Sequence, residues 1–328
     1  MPSGITHILL TKEMLNAARA RKWKKVLAAS SDFLQLGAVA PDLPYSDAVQ
    51  SPLSGKEEHK LADRFHYERT SDIPLKAFGM LRDWKHQERD KQSARDAFAF
   101  FVGYASHIVA DGIVHPFVRD KVGDYAENAK EHRILEMKID VLFYRRFIDP
   151  SGVKMANFNR SNLHDELSNL SLDRHPDLIR VMTLFTKLIQ NVYGVRCEPL
   201  KFVEWTQTFH KLLDVAEGDH WHLYRSLAPI ESFFYSDIED IISKQDEILT
   251  LGTPKDRPEN FLKKDRVDFF DDLVPRFHKM ILPIVDRAYF CVFEGGEDLT
   301  FEDIPCIDLD TGRLVAENQL ERIPQLWT

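Results

Sequence analysis

Apolar positions recur at three-and-four spacing along most of the chain, which predicts helices joined by polar turns. The first covers residues 5–28, with Ile8, Leu9, Leu15, Val26 and Leu27 inward and His7 near its start. Ser31 is placed to N-cap a short apolar helix, DFLQLGAVA. It stops before Pro41, because the residue preceding a proline is pushed out of the α region. Asp42 follows directly. Residues 43–60 read as a loop with Pro44, Pro52, Ser54 and Gly55, and the segment KLADRFHYERT then carries His66 between two aromatics. Helical signals resume over residues 75–91. A central segment runs from Ala94 toward His115, where Pro116 is expected to bend or end it. After a charged linker, Glu131 opens another helix, with Ile134, Leu135, Ile139, Leu142 and Phe143 on its apolar face until Asp149-Pro150.

Beyond Pro150 the pattern stays helical. Residues 176–193 are strongly amphipathic, with Leu178, Ile179, Met182, Phe185, Leu188, Ile189 and Val192 inward and Gly194 as the stop. Similar stretches cover residues 200–216, 229–249 and 267–293, the last with Pro275 and Pro283 as kinks or breaks. From Gly295 onward turn signals replace periodicity, so an extended tail packed over the helices is expected. The expected fold is all-α: a single multi-helix domain in which residues 1–150 form the core. Residues 151–328 add further helices to the same globular unit, followed by the tail.

Two runs of potential ligands lie in the middle of this pattern: His107, Asp111 and His115, then His132, Glu136 and Asp140. Both step by four residues. On an α-helix four residues turn about 400° and climb roughly 6 Å, so each run points one way. The ends of a run are roughly 12 Å apart, too far to share one ion, and Asp111 is placed to bridge two. Composition tempers the signal. With 13 His and 52 Asp+Glu, roughly two His-x3-acid pairs arise by chance, so His59/Asp63, His86/Asp90 and His210/Asp214 read as solvated faces. A His-x3-acid-x3-His triple is expected only about 0.1 times. Its context is also unusual: Asp111 is the only formally charged residue in 97–118, and a carboxylate among apolar residues needs a cation, hydrogen bonds or a proton. The same segment is long enough to cross a bilayer, but Asp111, two histidines, Gly112 and Pro116 crowd its second half, so no transmembrane segment is expected. Asp140 reads as a group supporting the ligands rather than one of them.

A net charge of −9 argues against general polyanion binding, although Arg19, Arg21, Lys22, Lys24 and Lys25 form a local basic run suited to peripheral membrane contact or to solvation. Cys197, Cys291 and Cys306 fit neither a disulfide framework nor a cysteine zinc site. With no secretory signal visible, a cytoplasmic location is expected. His220-x-His222 reads as surface.

Thr6-His7, GAVAPD ending at Asp42, FHYE at His66, GYASHIVADGIVHPF and His132-x3-Glu136 together resemble the zinc-dependent phospholipase C and P1 nuclease superfamily, over roughly residues 4–148. The Asp111-x3-His115 spacing is most similar to the catalytic domain of GPI-specific phospholipase D. Secreted bacterial phospholipases C and P1-type nucleases have a longer gap there. The resemblance implies an all-α fold and two to three zinc ions. One ion would be held by Asp42, His66, His107 and Asp111, with His59 competing for the place of His66. A second would be held by His115, His132 and Glu136, and a third by His7, Asp111 and the amino terminus, which is Pro2 once Met1 is removed.

The expected function is phospholipase C-like phosphodiester hydrolysis by metal-activated water, with Asp42 as the catalytic residue that orients the water or takes its proton. Phospholipid or another phosphodiester is the expected substrate. A nuclease would use the same metals but would want a basic groove and stacking platforms, so nucleic acid is the less favoured partner. A metal-stabilised interaction domain without catalysis is the third reading.

Overall fold

A computed structural model describes residues 4–46, 56–88, 91–148, 176–217, 238–252 and 266–315. The longest element is α6, Lys91–Val122, and the others are arranged around it. The helices before it are α1 (Gly4–Ala17), α2 (Lys24–Ala29), α3 (Ser31–Val39), α4 (Lys56–Tyr67) and α5 (Asp72–Glu88). After it come α7 (Tyr125–Phe147), α8 (Leu178–Tyr193), α9 (Pro199–Glu217), the short α10 (Ile238–Ser243) and α11 (Gln245–Leu249), and α12 (Val274–Glu294). Helices thus account for the architecture. Among the described residues the strands are an antiparallel two-stranded ribbon, β1 (Thr250–Gly252) against β2 (Arg266–Asp268), with Leu251 opposite Val267.

α3 and α6 make the closest approach, and glycine permits it. A Cβ on Gly37 would lie 1.9 Å from the Phe100 carbonyl oxygen, and one on Gly103 would lie 2.1 Å from the Leu34 carbonyl oxygen. Any side chain at either position would push the backbones apart. The contact brings the Ala38 carbonyl to His107 and sets the exit of α3, and hence Asp42, beside the centre of α6. Residues 97–118 are buried throughout, so the segment long and apolar enough to cross a membrane is here a core helix. One aromatic cluster ties the two halves of the chain together: Phe185 of α8 packs on Phe65, Phe100, Phe101, Tyr104 and Phe202.

Several boundaries differ from expectation. Residues 5–28 are two helices, because the chain turns at Ala20, with φ of 59°, to bury Trp23 and let its indole N–H reach Asp286 Oδ1 at 2.8 Å. Ser31 is the first residue of α3 and not its cap, and the Ser30 hydroxyl is spent on Asp96. Leu43–Ser46 is a 3-10 turn rather than a loop. Pro116 does not end α6, which continues to Val122, since one missing N–H within so deeply packed a helix is outweighed by its burial. α7 begins at Tyr125, ahead of Glu131, and is interrupted at Asn128. Val267 belongs to β2. Helix starts only after Asp268, whose carboxylate accepts from the Phe270 and Asp271 amides. Pro275 falls in the first turn of α12, where no N–H is needed, and Pro283 lies within the helix without dividing it. Ile179 is only half-buried, and Val181 takes the inward place. His220, His222 and the first part of the expected helix 229–249 lie outside the described residues.

Candidate metal centre

The site is assembled from the inside of the bundle outward. α6 supplies His107, Asp111 and His115 from one face, as successive turns require. α7 adds His132 and Glu136, α1 adds His7, α4 adds His66, and the turn after α3 adds Asp42. All eight are buried, in a chain where ionisable groups are rarely hidden without partners.

Asp111 lies at the centre. Its Oδ2 is 3.0 Å from His107 Nε2 and 3.6 Å from His66 Nε2, while its Oδ1 is 3.1 Å from His7 Nε2 and 3.6 Å from His115 Nε2. Asp42 Oδ1 stands 3.2 Å from His66 Nε2. Within this group two sets have ligand atoms that all lie within 4.8 Å of one another: His7, His107 and Asp111, and Asp42, His66 and His107. His7 and His107 stack with ring centroids 4.2 Å apart.

The hydrogen bonds show which ring atoms are left over. His107 Nδ1 donates to the Ala38 carbonyl at 2.9 Å, and His66 Nδ1 donates to the Ala62 carbonyl at 2.8 Å. In the neutral rings both Nε2 atoms therefore carry lone pairs, yet they face each other across 3.3 Å. Two lone pairs so placed repel unless a cation lies between or beside them. The carboxylates tell the same story: both oxygens of Asp42 and of Asp111, and both ring nitrogens of His7, are buried without a hydrogen bond of proper geometry. Backbone carbonyls that orient imidazoles, and carboxylates left open, are what a zinc site requires. The nitrogen-and-oxygen donor set suits zinc as well.

His115, His132 and Glu136 do not converge in the same way. His132 Nε2 donates to the Gly123 carbonyl at 2.6 Å, which leaves Nδ1 open and unpartnered. Both Glu136 oxygens and both His115 nitrogens are likewise buried without a hydrogen bond. Charge interactions couple His115 to Glu136 and to His132. These three thus form a neighbouring group of open donors rather than a closed triad.

Electrostatics follow from this packing. Burial works against the ionisation of Asp111, but His107, His115 and His7 overcome it and hold the carboxyl well below its usual range. Asp42 is lowered in the same manner, burial being offset by His107 and His66. Burial also opposes the charge on His115, yet Asp111, Asp310 and Glu136 raise it to about 9. Glu136 is pushed up to about 7, first by burial. Burial lowers His132.

Two supporting residues complete the picture. Asp140, expected to support the ligands, accepts from the Thr6 amide at 2.9 Å and the Thr6 hydroxyl at 2.5 Å, which fixes the start of α1 one residue before His7. Asp310, from the tail, was not singled out in the sequence, where it lies in an ordinary turn-like Asp-x-Asp-Thr-Gly. Its Oδ1 reaches within 3.5 Å of His115 Nδ1. The rim carries Tyr45, whose hydroxyl donates to Asp63 at 2.8 Å, and the exposed Tyr67. In the basic run Arg21 pairs with Asp286 and Lys22 with Glu294, so part of that charge is neutralised within the fold. The His59 side chain and the amino terminus lie outside the described residues.

No curated protein and no solved structure matches this chain. A family model described as "Zinc dependent phospholipase C" does match, over residues 6–184, a little more than half of the chain.

Proposed function

The chain belongs to the zinc-dependent phospholipase C family, and from that premise we propose that it is a zinc hydrolase of phosphodiesters with a phospholipid substrate. The observation that carries the proposal is the pair of imidazole Nε2 lone pairs, on His66 and His107, that face each other beside the open carboxylates of Asp42 and Asp111. We assign two to three ions. Asp42, His66, His107 and Asp111 would hold one, His7 with Asp111 would contribute to another, and His115, His132 and Glu136 would contribute to a further one. Bound zinc supplies Lewis-acid charge that lowers the pKa of water and neutralises negative charge building on a phosphate.

The chain's own residues do the rest. Carbonyls of Ala38 and Ala62 keep two imidazoles in the tautomer that presents Nε2 inward. Asp42, beside His66 and with its carbonyl accepting from the Tyr45 amide, would orient the attacking water and accept its proton. Water activated in this way leaves no need for a Ser or Cys nucleophile. The likeness of the Asp111-x3-His115 spacing to GPI-specific phospholipase D belongs to the same proposal, as does a cytoplasmic setting, which rests on a cysteine spacing that fits no disulfide framework. Peripheral contact with a lipid surface through Arg19, Lys24 and Lys25 is also part of it.

The test is a substrate panel on zinc-loaded protein: a bis-aryl phosphodiester, a phosphorylcholine ester, mixed phospholipid vesicles and single-stranded DNA, each with and without chelator. Chelator-sensitive turnover of phospholipid or phosphorylcholine ester supports the proposal. Preferential DNA cleavage would replace it with the nuclease reading. A fully loaded protein that hydrolyses none of the four would leave the cluster as a structural metal site.

A further inference from the structure

Asp310 lies outside the stretch that matches the family, in a hairpin whose backbone is closed on itself. Ile307 bridges Leu314, the Asp308 amide donates to the Arg313 carbonyl at 2.7 Å, and the Gly312 amide donates to the Asp308 carbonyl at 2.8 Å. Gly312 takes φ of 66°, which a tight reversal needs and which a side chain would strain. The Asp308 carboxylate accepts from the amides of Asp310 and Thr311, at 3.0 and 2.8 Å, and so rigidifies the tip from within.

This hairpin is fastened to the metal centre at two points. The Leu309 amide donates to the carbonyl of His66 itself at 2.9 Å, with the Leu309 side chain fully buried beneath. The next residue, Asp310, turns its carboxylate inward and is 9% exposed. Oδ2 pairs with Arg119, one turn along α6 from His115, and Oδ1 stands 3.5 Å from His115 Nδ1, neither of these two atoms making a hydrogen bond. The hairpin stem is held in turn by Thr70, which donates to the Ile307 carbonyl at 2.8 Å, and by Ser71, which donates to the Pro305 carbonyl at 2.6 Å.

We infer that Asp310 is a positioning residue for zinc binding. With zinc bound, the 3.5 Å separation would close to a hydrogen bond in which Asp310 accepts the Nδ1 proton of His115, so that the opposite nitrogen, Nε2, stays presented to the interior beside Asp111. His66 and His107 get this service from backbone carbonyls and His132 gets it from Gly123. Among the described residues His115 has only Asp310 placed to provide it. A carboxylate in this position also raises the basicity of the imidazole it holds, strengthening it as a ligand. Arg119, paired with the other oxygen, holds the Asp310 carboxylate in place. The inference rests on the zinc reading proposed above and adds that the site needs a segment more than a hundred residues beyond the matched stretch.

The test compares native protein with Asp310→Ala, Asp310→Asn and Thr70→Val by zinc competition against a chromophoric chelator and by the visible spectrum of the cobalt-loaded protein. Asp310→Ala is expected to weaken one zinc equivalent by about 10- to 100-fold and to change the cobalt bands. Asp310→Asn keeps an oxygen acceptor for Nδ1 and is expected to recover most of the affinity. Thr70→Val loosens the hairpin stem but keeps the carboxylate, so its loss of zinc affinity should be smaller than that of Asp310→Ala; an equal or larger loss would assign the effect to the fold of the hairpin and not to Asp310. Equal zinc affinity and equal cobalt spectra in native and Asp310→Ala would overturn this inference alone. A native protein that binds no zinc would overturn the functional reading and this inference with it.

Discussion

At the residue scale the cluster is governed by what each polar atom lacks. Asp140 shows how a group outside the ligand set controls it: two hydrogen bonds from Thr6 hold the α1 terminus, and His7 follows in sequence. Asp140→Ala leaves the buried Thr6 amide and hydroxyl without an acceptor. It is expected to destabilise the protein by about 1–3 kcal/mol, read from urea denaturation. Zinc content should fall at the same time, because His7 loses its placement; unchanged zinc stoichiometry would show that His7 is placed by core packing instead. The sequence already marked Asp111 as a residue that must find a cation, hydrogen bonds or a proton, since no other charge lies in the twenty residues around it. It carried no comparable sign for Asp310, whose neighbours in sequence are those of any surface turn.

At the element scale the centre depends on how closely two helices approach. Gly37 and Gly103 each sit against the partner's backbone, and backbone cannot yield as a flexible side chain can. Gly103→Ala is therefore expected to cost about 3 kcal/mol or more, toward the upper end of overpacking effects, and to reduce zinc binding by moving Asp42 away from His107. Gly79 of α5 provides the contrast, because a Cβ there would meet only the end of the Asp298 side chain at 3.1 Å. Gly79→Ala should be neutral or stabilising by up to about 1 kcal/mol, since alanine is the better helix former. Thermal denaturation of the two variants side by side measures the difference. Equal melting temperatures would remove the glycine contact as the cause of the close approach.

At the scale of the whole molecule, protons and metal compete for the same buried groups. Without metal, His115 has a folded pKa of about 9, above its ordinary value of 6.5, so its stabilisation is complete at low pH and is lost as pH rises through 9. Glu136, raised to about 7 by burial, stays protonated in the folded chain while the unfolded chain ionises, so it too lowers stability as pH rises from about 4.5 to 7. His132, lowered by burial, works the other way up to its ordinary value of 6.5, so the chelated protein is expected to melt at progressively lower temperature from there to pH 9. Zinc binds the deprotonated ligands, so its stabilisation should grow over the same interval. At a free zinc concentration of about 100 times Kd each site adds about 2.7 kcal/mol. Melting curves at pH 5.5, 7 and 8.5, with zinc and with chelator, check both signs; a metal-free protein that gains stability toward pH 9 would contradict them.

Periodicity alone determined the all-α class, the amphipathic α8 with its glycine stop, and the common face of His107, Asp111 and His115, because these depend only on spacing along one helix. The apolar setting of Asp111 likewise determined that a charge would be buried at the centre of the fold. Tertiary structure decided which donors meet. Local pattern carries no information about contacts between segments, so the stacking of His7 on His107 and the facing lone pairs of His66 and His107 appear only when α1, α4 and α6 pack. Long-range contact also overrode local signals, ending the first helix so that Trp23 is buried and carrying α6 past Pro116. The same holds for the tail: a turn of no apparent chemistry becomes part of the centre because its backbone hydrogen bonds close on His66 and bring Asp310 to His115.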